Sequence, residues 1–159
     1  MDFKFINVGI ADIESASSPD ILRTVLGSCV GVCLYDKEKK IGCLSHIMLP
    51  SINERATNRK KYADTAIPMM IEEMKKRGSD ITKVTAKIAG GATMFKISGN
   101  SMMGEIGKNN IKKVKEVLDE FSIRIIAEDV GGDFGRTIDF YTENGTLKIR
   151  SLGKEEKVL

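Results

Sequence analysis

The chain has 159 residues, 42% of them hydrophobic and 30% charged, and its basic residues exceed its acidic ones by three. That length suits one domain, spanning 1–159, around a single substantial core. So small a positive excess, without a basic stripe interleaved with aromatics, gives no case for a nucleic-acid binder, and no apolar run approaches the eighteen or so residues of a membrane span.

Phe3 to Ile13 alternates apolar and polar residues like a strand, and Ile21 to Leu26 is a second short extended piece. Val30 to Tyr35 and Ile41 to Leu49 are apolar runs separated by Asp36-Lys37-Glu38-Lys39-Lys40, which predicts a β-hairpin. Ser51 to Lys61 is polar and aperiodic, hence a loop. A helix is expected from about Ala63 to Arg77, with Ile67, Met70, Ile71 and Met74 as its apolar stripe and Gly78 placed to stop it. Pro68 is awkward there, because proline is tolerated only near a first turn. Val84 to Ile88 reads as a strand ending in Ala89-Gly90-Gly91-Ala92. A second helix should begin near Asn109 or Asn110, either a competent cap, with Ile111, Val114, Leu118 and Phe121 on one face. A buried strand, Ile123 to Ala127, follows. Two more, Thr137 to Thr142 and Thr146 to Leu152, flank the turn signal Asn144-Gly145. Lys154 to Leu159 is charged and expected to fray. Many strands with two amphipathic helices imply an α+β fold, an α/β sandwich with helices covering sheet faces.

The hairpin carries the chemistry. Cys29 precedes its first strand, just after the turn-like Leu26-Gly27-Ser28, and the chain's one histidine, His46, lies on the second strand. If the turn is Lys37 to Lys40, then Asp36 faces Ile41, Gly31 faces His46 and Cys29 faces Met48. Cys29 and His46 are then diagonal neighbours on one face, with backbones roughly 7–8 Å apart. Gly31 opposite His46 would leave room for the imidazole. A loop one residue longer or shorter would put the two on opposite faces. A thiol paired with an imidazole is the minimum equipment for thiol-based acyl transfer, the imidazole taking the thiol proton and lowering the thiol pKa as imidazolium. The Gly27-Ser28 turn can present Cys29 and aim backbone N–H groups at a developing oxyanion. A third group must orient the ring. Thr24 is the nearest polar candidate upstream of the turn, and a hydroxyl or backbone carbonyl elsewhere could also serve.

Each feature has a plainer reading. A free cysteine is commonly a small buried apolar side chain, a lone histidine is commonly a satisfied interior or surface group, and a strand threonine needs no role. Cys29, Cys33, Cys43 and His46 offer zinc-type ligands, but Cys43 and His46 fall on opposite faces of one strand, so no metal is expected. Gly90-Gly91 and Gly131-Gly132 match no phosphate-binding pattern and are expected to be backbone turns near a site. Met69, Met70 and Met74 read as core. Arg59-Lys60-Lys61 reads as a solvated loop, with an acidic partner surface as the sharper alternative. The first residues lack the long apolar core of a signal peptide, and three cysteines without one read as reduced thiols, so a cytoplasmic protein is expected.

Five segments together resemble a known family, the CheD chemoreceptor glutamine deamidases. They are Leu26 to Leu34, Ser45 to Pro50, Lys61 to Ala66, Lys87 to Phe95 and Ala127 to Gly132, in order along nearly the whole chain. The resemblance implies that Cys29 is the nucleophile, His46 the general base and Thr24 the third member. It implies a sandwich similar to the catalytic domain of deamidating bacterial toxins, and no cofactor. The implied substrates are selected glutamine side chains on the cytoplasmic helices of chemoreceptors, converted to glutamate and ammonia. The implied partner is CheC, a phosphatase of the response regulator CheY. One departure is Gly107-Lys108-Asn109-Asn110, where the family usually has an arginine in a Gly-x-Arg-Asn stretch, and no role is carried onto it. Two rival readings remain: a non-catalytic module regulating a CheC-type phosphatase, and a thiol hydrolase acting on some other amide.

Overall fold

The computed structural model describes residues 2–94 and 105–159. Phe95, the last residue of the fourth segment above, lies outside them. Among the described residues, ten strands form two five-stranded sheets, joined by two α-helices and two 3₁₀ turns. The strands are β1 (Phe5–Asn7), β2 (Ile13–Ser17), β3 (Ile21–Leu26), β4 (Val30–Asp36), β5 (Ile41–Ile47), β6 (Thr85–Gly90), β7 (Arg124–Val130), β8 (Arg136–Tyr141), β9 (Leu147–Arg150) and β10 (Lys157–Val158). The helices are α1 (Ala63–Lys76) and α2 (Ile106–Glu120).

The first sheet runs β1-β3-β8-β9-β10 and the second β2-β5-β4-β6-β7. Every residue of β4 and β5 is buried, because both faces of the second sheet are covered. This is why these strands read as continuous apolar runs rather than as alternation. One face packs on the stripes of α1 and α2 through Val30, Val32, Leu34, Ile47, Ile67, Met70 and Val114. The other meets the first sheet through Cys33, Leu44, Leu22, Leu26, Ile138 and Phe140. The result is an α+β fold of three layers, helices on sheet on sheet.

The hairpin has the expected register, with Asp36 opposite Ile41 and Gly31 opposite His46. Asp36 fixes the turn by accepting from the Glu38 and Lys39 N–H groups. Four other expectations need correction. Phe3 to Ile13 is not one strand. A bend containing Ala11 at φ 59° divides β1, which pairs with β3 in the first sheet, from β2, which pairs with β5 in the second. The segment therefore crosses the sandwich. The strand near Ile123–Ala127 is a half-exposed edge, β7, rather than buried. Lys154 to Leu159 does not fray: β10 pairs with β9, and Leu159 exchanges backbone hydrogen bonds with Leu147. Helix α2 starts at Ile106, so Asn109 and Asn110 lie inside it and cap nothing.

Pro68 sits in the second turn of α1 rather than the first. It denies the Asp64 carbonyl its helical donor, a local cost of up to about 3 kcal/mol. The buried face of Ile67, Met70, Ile71 and Met74 carries the helix across that defect.

Candidate active site

Hydrogen bonds at one end of the sandwich build the site. His46 points from β5 into the inter-sheet layer and is 2% exposed. Its Nδ1 lies 2.8 Å from the Thr24 hydroxyl, on β3 of the facing sheet. The same hydroxyl is 2.8 Å from the carbonyl of Val8, in the bend after β1. A carbonyl can only accept, so the single hydroxyl proton goes to Val8 and the oxygen accepts from Nδ1–H. That chain of bonds fixes the tautomer. Nε2 of the neutral ring is left with its lone pair.

Cys29 directly precedes β4 and packs, half-buried, against the same inter-sheet layer. Gly31, opposite His46, opens space toward the first sheet. The atoms nearest a Cβ there belong to Ile138, at 2.9 Å, and Leu26, at 3.1 Å, so Gly31 lets the first sheet approach closely.

The turn before Cys29 is clamped through its carbonyls. Gly91 N–H donates to Cys29 at 2.8 Å and Ala92 N–H to Gly27 at 3.0 Å. The Asn110 side chain donates to Ser28 at 3.1 Å. With their carbonyls held, Ser28 and Cys29 have N–H groups that engage no partner among the described residues. The clamp rests on a second loop: Gly131 N–H donates to Gly90, and Thr93 N–H to Gly132. Gly90, Gly91, Gly131 and Gly132 all have positive φ; Gly90 is the last residue of β6 and the other three lie in the loops beside the Cys29 turn. Beyond His46, Lys61 accepts from the Met48 and Leu49 N–H groups, and Ala63 and Asp64 donate to Leu49 and Pro50. The motif-like segments thus gather around the hairpin end that carries Cys29 and His46.

Burial drives the two reactive groups in opposite directions, pushing the Cys29 thiol above its ordinary range and His46 below its usual value of about 6.5. At neutral pH the resting pair is thiol and imidazole. A pre-formed thiolate–imidazolium pair is disfavoured, because each charge would be partly desolvated. Cys33 and Cys43 are fully buried and their thiols are pushed far up. Iodoacetamide should therefore alkylate Cys29 alone in the native protein, at a rate rising about tenfold per pH unit across the neutral to mildly alkaline range without a plateau. Rate constants with site mapping by mass spectrometry check this. A plateau near neutrality would indicate a stabilised thiolate. The native state also resists a proton that the unfolded chain accepts at His46. Stability should fall as pH drops through about 6.5 and be insensitive to this group above it.

Gly90→Ala should be severe. Gly90 has φ +104°, and an added Cβ would overlap the Cys29 carbonyl, which is backbone and cannot swing aside. The strained φ alone costs about 1–3 kcal/mol. Relief of the clash would displace the Gly27-Ser28-Cys29 turn, and where a reactive group is held, ångström-scale misplacement costs on the order of 100-fold in rate. Thermal unfolding and Cys29 alkylation would report the two effects separately.

A cleft of about 500 Å³ lies at the opposite end of the hairpin, bordered by Asp36, Lys37, Lys83, Lys87 and Arg124. None of Thr24, Cys29 and His46 lines it. Among the described residues no group of His, Cys, Asp and Glu could hold a metal ion, and no helix is long and apolar enough to cross a membrane.

The family model described as CheD chemotactic sensory transduction matches residues 48–151. A protein of Syntrophomonas wolfei named probable chemoreceptor glutamine deamidase CheD is 47% identical over 159 residues, covering 98% of this chain and 99% of that one. The chain belongs to the CheD family. A Clostridium novyi protein of the same name is 52% identical over 93% of each chain, and one from Clostridium botulinum is 50% identical over 96% of each. Among solved structures, the Bacillus licheniformis hypothetical protein YfiH aligns with a TM-score of 0.48 at 14% identity, over 74% of this chain and 49% of that one.

Two groups that the structure brings to this candidate site were not singled out as site residues in the sequence. Val8, whose carbonyl fixes the hydroxyl proton of Thr24, gives no side-chain signal. Asn110 carries, with Asn109, the signal of a helix cap, since capping is what asparagine near a helix start commonly does.

Proposed function

We propose that this protein is a chemoreceptor glutamine deamidase that works through a Cys29 thioester. The observation that carries the reading is the Val8–Thr24–His46 chain, which leaves Nε2 of His46 as a base on the face where Cys29 packs. The names of relatives near 50% identity supply the substrate, glutamine side chains of chemoreceptors.

Nε2 takes the thiol proton as Sγ attacks the glutamine Cδ, and the carbonyl π electrons move to oxygen. The N–H groups of Ser28 and Cys29, in the Gly27-Ser28-Cys29 turn, donate to that oxyanion. As the tetrahedral centre collapses, the C–N bond breaks and Nε2–H protonates the departing nitrogen, releasing ammonia. Water then gives a proton to Nε2 and its oxygen to the thioester carbon. Expulsion of Sγ, which regains the proton, leaves glutamate. Because the resting pair is neutral, charge develops only during reaction, and Thr24 keeps the ring oriented throughout. No step calls for a metal or cofactor. Receptor signalling helices are cytoplasmic, so the protein would act in the cytoplasm. Binding to a CheC-type phosphatase belongs to this reading as its regulatory arm.

The test is peptide mass spectrometry on a chemoreceptor cytoplasmic fragment incubated with the protein. Conversion of particular glutamines to glutamate is expected. No conversion by folded protein would contradict the deamidase and favour a non-catalytic module acting on a CheC-type phosphatase.

A further inference from the structure

We propose that Asn110 is a positioning residue that holds the Cys29 turn and the end of the His46 strand in reactive register. This rests on the proposed role of Cys29. Paired residues of β4 and β5 end at Val30 and Ile47, one step short of Cys29 opposite Met48. There the strands part, and Met48 turns away to donate to Lys61. Into the gap comes the Asn110 side chain from α2, its amide nitrogen 3.1 Å from the Ser28 carbonyl and 2.9 Å from that of Met48. Two carbonyls can be bridged only by a group with two N–H donors, so the orientation of the amide is fixed. One side chain therefore replaces the missing rung, tying the residue before Cys29 to the second residue after His46.

The placement is costly for the helix alone. Asparagine is a poor interior residue in an α-helix, yet Asn110 is wholly buried and sends both donors outside its own helix. Its Oδ1 has no partner among the described residues. Gly107, one turn earlier, makes the approach feasible: a Cβ there would strike the Gly91 and Ala92 carbonyls, on the loop that clamps Gly27 and Cys29. Helix α2 thus reaches the nucleophile turn directly through Asn110 and indirectly through that loop.

The experiment compares Asn110→Ala, Asn110→Ser, Val114→Ala and Cys29→Ala in deamidation of a chemoreceptor fragment, with thermal unfolding and thiol mapping. Val114 lies one turn further along the same buried face of α2 and belongs to the core. The proposal expects both Asn110 variants to lose about 10- to 100-fold in kcat with KM little changed, as for ångström-scale misplacement. Val114→Ala should lower Tm while keeping kcat. Iodoacetamide should still modify Cys29 alone in the Asn110 variants, at an altered rate, since exposure of Cys33 and Cys43 would mean unfolding. Three results would overturn it: wild-type kcat in both Asn110 variants beside an inactive Cys29→Ala, a kcat loss matched by Val114→Ala at equal Tm, or alkylation of all three thiols in both Asn110 variants. Undiminished conversion by Cys29→Ala would remove the Cys29 mechanism itself, and the positioning role with it.

Discussion

Cys29→Ala is expected to lower deamidation of a receptor fragment by about 10⁴-fold or more, the scale on which loss of a covalent nucleophile falls. The fold should survive. Cys29 is half-buried at the rim of the inter-sheet layer, and removing one sulfur costs about 1 kcal/mol or less of burial. The variant should bind receptor fragment as the wild type does, because nothing in the Gly90–Ala92 clamp or the Asn110 bridge involves the thiol. Rate and binding measured on one preparation check both halves. Retained activity would move the chemistry away from the thiol, and lost binding would point to a structural role.

His46→Gln should cost about 10²- to 10⁴-fold, the usual value of a positioned general base. Glutamine is similar in size and can donate to the Thr24 oxygen, so the layer should stay filled, but it cannot carry a proton between thiol, leaving nitrogen and water. Thr24→Val should be graded below it. Valine keeps the volume and leaves Nδ1–H and the Val8 carbonyl buried without partners, a penalty of about 1–3 kcal/mol that corresponds to about 5- to 150-fold in rate. Because the resting pair is neutral, His46→Gln should slow iodoacetamide far less than it slows deamidation. Equal losses in the two assays would mean that the imidazole stabilises a resting thiolate. In the wild type the acidic limb of the deamidation profile should lie below about 6.5, since burial lowers the His46 pKa and keeps the base unprotonated further into acid.

The parts of this site legible in the sequence are the local ones. Two apolar runs around a short charged turn fix the β4–β5 register, with Gly31 opposite His46, and Cys29 packs against the inter-sheet layer into which His46 points. The stripe of α1 is legible for the same reason, since its period is a property of the helix alone. What escaped depends on partners far away in the chain. The alternation of Phe3 to Ile13 continues through the bend, so nothing local reveals that β1 and β2 belong to different sheets. The charged Lys154 to Leu159 becomes a strand only because β9 offers it an edge. Gly31 faces His46 as expected, yet its missing side chain makes room for Ile138 and Leu26 of the facing sheet. Asn110 carries the signature of a cap and serves as a bridge, a use that depends on carbonyls 82 and 62 residues away.

Placing the site where three layers meet explains how a neutral pair can be held ready. The first sheet supplies Thr24 and, through the bend after β1, the Val8 carbonyl. The second supplies His46 and Cys29, and the helical layer supplies Asn110. Each layer packs independently of the chemistry, so the geometry is set by cores far larger than the site.

The most direct measurement of the Cys29 thioester is intact-mass spectrometry of the protein after rapid acid quench, during turnover of a glutamine-containing receptor peptide. A transient adduct equal to the peptide less one ammonia is expected, mapped to Cys29 and absent in Cys29→Ala. Turnover at the full rate with no adduct on Cys29, and undiminished in Cys29→Ala, would contradict the thioester.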